Sequence, residues 1–236
     1  MTMPVLEADG ALPRGDAKRR AVEAMFDRVA PDYERVNRVI SLGLDRRWRA
    51  RTVAALGLAP AGRVLDLACG TGDLARDLER EGHTVVGVDL SAGMLRVAHT
   101  SASLVRGDGA ALPFVSDAFD GVVCGFALRN FVDLPDVFAE VARVLRPEGR
   151  FAAIDAAVPT SRVLRAGNTV WFRGAVPLLG RLLSRDAEAY RYLPRSTEYL
   201  PEPAALVAAL GDAGFVEATR TTMTGGSVQL LTGTRT

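Results

Sequence analysis

A chain of 236 residues with 48% hydrophobic and 24% charged residues has apolar surface enough for one sizeable core, which excludes a disordered or fibrous protein and fits a single α/β domain better than two. Its 29 basic and 28 acidic residues leave a formal charge of +1, so no global field steers it onto nucleic acid, and nucleic acid is not an expected partner. Met1 to Lys18 lack the apolar core of a secretory signal, no run approaches a membrane span, and Cys69 and Cys124 stand outside any metal-ligand spacing; a cytoplasmic protein with reduced thiols and no metal is expected.

Residues 1–15 mix glycine, proline and charge without periodicity and read as a mobile N-terminus to one domain over 16–236. Val22, Met25, Phe26 and Val29 recur at helical spacing, predicting a helix over 17–30 that Pro31 ends. Residues 33–44 read as a connection, and a helix over 45–56 bounded by Gly57 and Pro60 completes a helical cover over 16–60. Short β-rich runs then alternate with helices: strands over 64–68, 84–88, 103–106, 121–124 and 150–156, helices over 73–81, 92–100 and 134–145. This alternation makes 61–157 the cofactor-binding core of a doubly wound, mostly parallel, Rossmann-like α/β sheet. Pro159, Pro177 and Pro194 punctuate residues 158–200, where seven arginines oppose two acids between Arg162 and Arg195. An apolar, basic stretch of this kind is expected to form an inserted lid or a membrane-facing surface. Residues 201–236 return to a helix over 204–213, a strand over 215–222 and a Gly225-Gly226 turn into a last, antiparallel strand over 228–234, the seventh of the sheet.

Asp66-Leu67-Ala68-Cys69-Gly70-Thr71-Gly72 leaves a buried strand and opens a helix, with Gly70 and Gly72 where backbone must approach a ligand closely. The run from Gly70 to Ala75 also satisfies the dinucleotide pattern of nicotinamide enzymes, and a glycine turn can serve the chain alone. Charge discriminates between the cofactors. Asp66 suits the positive amine of S-adenosylmethionine and would repel a pyrophosphate. Asp89, ending the second strand, can accept hydrogen bonds from both ribose hydroxyls in either cofactor class, and Asp108, after the third strand, from an adenine amino group.

With these residues in place the chain resembles class I methyltransferases, and more narrowly the UbiE/MenG family that methylates ubiquinone and menaquinone precursors. The resemblance runs from Met25 to the C-terminus. Upstream it rests on Met25 to Ala30, Tyr33 to Asn37, Ser41 to Leu44 and Trp48-Arg49. Downstream it rests on Leu112-Pro113-Phe114, Gly125 to Asn130, Arg143 to Pro147, and Tyr190 to Leu193 followed by Ser196. It implies methyl transfer from S-adenosylmethionine to a carbon of the reduced, hydroquinone form of an isoprenoid quinone, with cofactor contacts at Thr71, Asp89, Asp108, Gly109 and Gly125. Departures from the family pattern at Glu34, Asp45, Gly125, Glu148 and Asp155 to Ala157 bear on the acceptor more than on the cofactor.

The sulfonium already makes the methyl electrophilic, so the protein must align an acceptor carbon and raise its electron density. A histidine base is not expected, because His83 precedes the second strand at the edge opposite the ligand and His99 lies late in a helix. Arg129, just beyond the fourth strand, can stabilise a developing phenolate, Asn130 can orient a hydroxyl or water, and Tyr33 can close the pocket from the cover. Each of the three can instead brace its loop. A soluble aromatic or polyketide-like acceptor is the alternative to an isoprenoid quinol, and a lipid-tailed acceptor would require both a lid and a peripheral membrane contact. The sequence leaves the oligomeric state open, a homodimer included.

Overall fold

The computed structural model describes residues 13–171, 174, 176, 178, 179, 192 and 195–236. Short runs rich in Val, Leu and Phe form seven strands, β1 (Arg63–Leu67), β2 (Thr84–Asp89), β3 (Ser103–Arg106), β4 (Phe119–Gly125), β5 (Leu145–Ala156), β6 (Phe215–Met223) and β7 (Val228–Arg235). They make one sheet in the order β3-β2-β1-β4-β5-β7-β6. The first five are parallel, and β7 enters antiparallel between β5 and β6. Because β1 lies between β2 and β4, the chain reverses its direction of winding there, and a crevice opens at the carboxyl ends of the strands.

Pleating divides the strand side chains between two layers. Leu65 and Leu67 of β1 and Phe151 and Ala153 of β5 enter one core, shared with Val137, Phe138 and Val141 of α6 (Leu134–Val144). Val64 and Ile154 face the other core, with Leu74 and Leu78. Helices α3 (Asp45–Leu56), α4 (Asp73–Arg80), α6 and α8 (Pro203–Asp212), the last following α7 (Arg162–Val170), pack on these two cores, whereas α5 (Ala92–Arg96) sends Met94 into a third cluster under the N-terminal cover. Leu74, Ala75 and Leu78 put one apolar stripe of α4 on the sheet, and Pro135 opens α6 where its missing N–H is not needed.

The cover begins with α1 (Gly15–Val29), which buries Ala21, Val22, Met25 and Val29. It docks on the start of α5 through Asp27, whose Oδ1 accepts from Ser91 Oγ at 2.6 Å and from the Gly93 amide at 2.7 Å. Gly93 is required there, since a Cβ would stand 2.7 Å from the Asp27 Cα. Predicted boundaries change in three places, the first being β5, which begins at Leu145 and not at residue 150. The connection expected over 33–44 contains a helix, α2 (Tyr33–Ile40), because Val36 and Ile40 share an apolar face and Pro31 occupies a short 3-10 turn, Ala30–Asp32, where proline is tolerated. The helix expected to reach residue 100 stops at Arg96, and the His99 amide instead donates to the Thr71 carbonyl at 3.1 Å. Residues 1–12 of the expected mobile N-terminus, and much of 172–194 of the expected lid, lie outside the described residues.

Candidate active site

The glycine loop leaves β1 through three left-handed residues, Ala68 (φ +55), Gly70 (φ +53) and Gly72 (φ +85). Gly70 borders a cavity, and beyond its two chain neighbours no atom of the described residues comes within 4 Å of where its Cβ would stand. The loop is pinned from β2: Asp89 Oδ2 accepts from the Gly70 amide and Oδ1 from the Ser91 amide, both at 2.8 Å. Burial nevertheless pushes the Asp89 carboxyl up to about 6. Asp89, Asp108, Gly109, Gly125 and Asn130 line a cavity of about 410 Å³ beside this loop. Gly109 is tight against it, because an added Cβ would stand 2.7 Å from Phe131 Cε1. Gly72 lines neither this cavity nor its neighbour. It caps α4, and a Cβ there would meet Thr100 at 2.9 Å, so its role is the turn itself.

A second cavity of about 500 Å³ lies on the other side of Gly70 and is walled by Tyr33, Trp48, Phe126, Leu164 and Trp171, with Asp66, Thr71 and Arg129 among its polar residues. Phe26, Tyr33, Ala68, Gly70, Gly125 and Phe126 line both cavities and therefore mark where they join. Asp66 is buried on the α4 side of β1, where Oδ2 accepts from the Ala75 amide at 3.0 Å. Burial pushes its carboxyl up to about 8, with the negative charge of Asp89 adding to the effect. Asp66 and Thr71 thus stand in the larger cavity, while Asp89 and Asp108 stand in the smaller one.

Arg129 follows β4 in a 3-10 turn, Leu128–Asn130, and is buried. Its Nη1 pairs with Asp155 Oδ1, its amide donates to Asp155 Oδ2 at 3.0 Å, and its Nε donates to Ser196 Oγ at 3.0 Å. The guanidinium therefore joins β5 and the segment around Ser196 to the wall of the larger cavity. Asn130 does not accompany it: the same turn directs Asn130 to the smaller cavity, where its Oδ1 accepts from Tyr192 Oη at 3.2 Å. Tyr33 is where the cover meets both cavities. Enclosure pushes its hydroxyl up, opposed by a hydrogen bond with Asn37 and by the positive charge of Arg129. His99 is exposed, and His83 stands before β2 at the opposite edge of the sheet with a buried Nδ1 that has no hydrogen-bond partner among the described residues. Neither lines either of these two cavities.

Three residues around the site take partners that no local pattern shows. Lys18, the chain's only lysine, is buried with Nζ donating to the Phe131 carbonyl at 2.5 Å and lying 3.6 Å from the Tyr199 ring centroid. Burial pushes it down to about 8. It clasps α1 to the turn after β4 and to the 3-10 turn Thr197–Tyr199. Arg49 bonds Asp45 at 2.6 Å and Asp77 at 2.7 Å, holding α3 on α4 beside the larger cavity. Glu34 bridges α2 to Arg76 at 2.9 Å; burial pushes its carboxyl up, but bonds from Arg76 and Thr71 outweigh this and hold it below the usual range.

Comparison with known proteins places these features. The model of the ubiE/COQ5 methyltransferase family matches residues 14–235. A protein named demethylmenaquinone methyltransferase from Roseiflexus sp. (strain RS-1) is 39% identical over 229 residues, 94% of this chain and 96% of that one. One of the same name from Thermus thermophilus is 42% identical over 201 residues, 81% of this chain and 91% of that one. Among solved structures, a SAM-dependent methyltransferase from Thermotoga maritima superposes with a TM-score of 0.63 at 18% identity, covering 91% of this chain and 100% of that one. This last likeness concerns the fold.

Proposed function

The chain belongs to the ubiE/COQ5 methyltransferase family, and from that premise we propose that its acceptor is a demethylmenaquinol-type isoprenoid quinol, methylated on a ring carbon. The observation that carries this reading is the pair of cavities. One is lined by acids at strand ends, the other is walled by aromatic and aliphatic side chains, and they join at Gly70, Gly125 and Phe126.

The residues fit S-adenosylmethionine by two observations: the space beside Gly70 is open, and among the described residues no cationic side chain pairs with the buried Asp66. When bound, the cofactor supplies a methyl group activated by its sulfonium. Asp89 retains lone pairs for ribose hydroxyls, Asp108 would accept from the adenine amino group, and Asp66 and Thr71 would hold the amino-acid end. Gly109 and Gly125 let that ligand approach the backbone.

On the acceptor side, Arg129, its charge partly offset by Asp155, lines the cavity that would receive the ring. Such a preorganised cation stabilises negative charge developing on a ring hydroxyl, which in turn enriches the carbon to be methylated. Tyr33 closes the junction against water from the cover. Asn130, tied to Tyr192, acts by fixing the turn that carries Arg129.

A tailed acceptor must leave its chain outside a cavity of about 500 Å³. The rim offers exposed Leu42, Val158, Val163 and Leu164, with exposed Arg46, Arg47 and Arg162 nearby in sequence. This apolar, basic rim supports peripheral contact with an anionic membrane at its cytoplasmic face. No helix of the described residues is long and apolar enough to cross a membrane.

The test is methylation by wild-type protein with S-adenosylmethionine and either reduced demethylmenaquinone in anionic vesicles or soluble naphthols. Faster turnover of the tailed quinol is expected. Preference for the soluble acceptors would favour an aromatic-metabolite methyltransferase and end this reading.

A further inference from the structure

Phe126 has a left-handed backbone, φ +58, a conformation that glycine adopts freely and a bulky residue rarely does. Nothing in the pairing of β4 calls for a large side chain there. The Phe126 amide donates to the Ile154 carbonyl at 2.7 Å, a bond that a glycine would make equally well. The ring is nevertheless held firmly: its centroid lies 5.9 Å from that of Trp48 at 57°. Trp48 is itself fixed by its indole N–H, which donates to Thr224 Oγ1 at 2.8 Å. Phe126 lines both cavities at the point where they join. A strained backbone that persists at a functional junction points to a use for what it presents.

We propose that Phe126 is a specificity-determining residue whose ring forms a plate against which an aromatic acceptor stacks, beside the methyl donor. The proposal rests on the aromatic acceptor inferred above. Offset or edge-on aromatic pairs favour ring centroids 4.5–7 Å apart, so a plate braced by Trp48 fixes the height of an acceptor ring over the junction. The electron-rich ring face also attracts positive charge, so the same plate favours a sulfonium in the adjoining cavity. A purely structural role, as a wedge keeping α3 on the sheet, is the competing account.

The experiment compares wild type with Phe126→Leu, Phe126→Gly and Phe126→Tyr in binding 1,4-naphthoquinone with S-adenosylhomocysteine present, alongside melting temperature and S-adenosylhomocysteine affinity. Leucine and glycine should raise the naphthoquinone Kd about tenfold, the scale of one aromatic pair. Tyrosine should keep wild-type affinity, and S-adenosylhomocysteine affinity should stay within twofold in all three. The glycine variant also removes the backbone strain, which separates loss of the ring from loss of folding. Unchanged naphthoquinone affinity in the leucine and glycine variants overturns the proposal, as does wild-type protein that fails to bind the probe. A joint fall of both affinities and melting temperature overturns it in favour of the wedge. Turnover of demethylmenaquinol by wild type judges the acceptor reading separately, since the binding measurements need no methyl transfer.

Discussion

Replacing Arg129 with alanine strips the guanidinium from Asp155, a carboxylate that is 0% exposed. Two backbone donors remain on Asp155, the amide of residue 129 at 3.0 Å and that of Ala156 at 2.7 Å. Breaking a buried ion pair from one side costs about 3–5 kcal/mol, and the surviving amide bonds place this case near the lower end. In a chain of this length each kcal/mol moves the melting temperature by about 2–4 °C, so a fall of roughly 6–12 °C is expected. Asp155→Ala removes the same pair from the other side. The double variant should therefore fall short of the summed losses by about 2 kcal/mol or more. Denaturant unfolding of the four proteins gives this coupling. Single-turnover methylation, measured well below the lowest melting temperature, gives the second effect: Arg129→Ala should lose roughly 10²–10³-fold in rate with little change in S-adenosylmethionine affinity. Additive losses would refute the buried pair, and a normal rate in folded Arg129→Ala would refute its action on the acceptor.

Asp89→Asn should weaken S-adenosylmethionine binding by about 1–3 kcal/mol, because an amide cannot replace a carboxylate toward both ribose hydroxyls and the Gly70 and Ser91 amides; unchanged calorimetric affinity would contradict this. Asp66, pushed up to about 8 by burial, is mostly protonated at pH 7 in the free protein, whereas a cationic ligand end favours its ionised form. Binding should release a proton at pH 7 and tighten as pH rises toward 8, which calorimetry in buffers of different ionisation enthalpy detects; Asp66→Asn should abolish the release. The same shift makes the folded state bind more protons than the unfolded state from the ordinary carboxylate range up to about 8, so Asp66 lowers stability as pH climbs through that window. Lys18, pushed down to about 8 by burial, has the opposite sign. Above pH 8 the folded state binds fewer protons than the unfolded state until the ordinary lysine range near 10.5 is passed, so stability should rise with pH there. Lys18→Met should flatten that rise in urea unfolding midpoints.

The order of strands and helices was legible in the chain because apolar periodicity and turn chemistry are local properties. Gly70 and the acids at 66, 89 and 108 were legible for a related reason: strand ends are set locally, and parallel topology brings successive carboxyl ends to one crevice. The helix at Tyr33–Ile40 was not, since its apolar stripe is only Val36 and Ile40 and gains its meaning from the cover it packs in. The state of Arg129 was decided entirely by tertiary contacts. Its partners Asp155 and Ser196 are 26 and 67 residues away in sequence, and Lys18 reaches Phe131 across 113 residues. No spacing rule connects such positions, because folding sets the distance between them and burial sets how strongly their charges interact. The sequence by itself determined which strand ends border the crevice. Only the tertiary structure divided that crevice into two cavities, turned Arg129 and Asn130 to different sides, and set Phe126 at the junction, because side-chain direction at a strand end depends on backbone dihedrals fixed by neighbouring strands and helices.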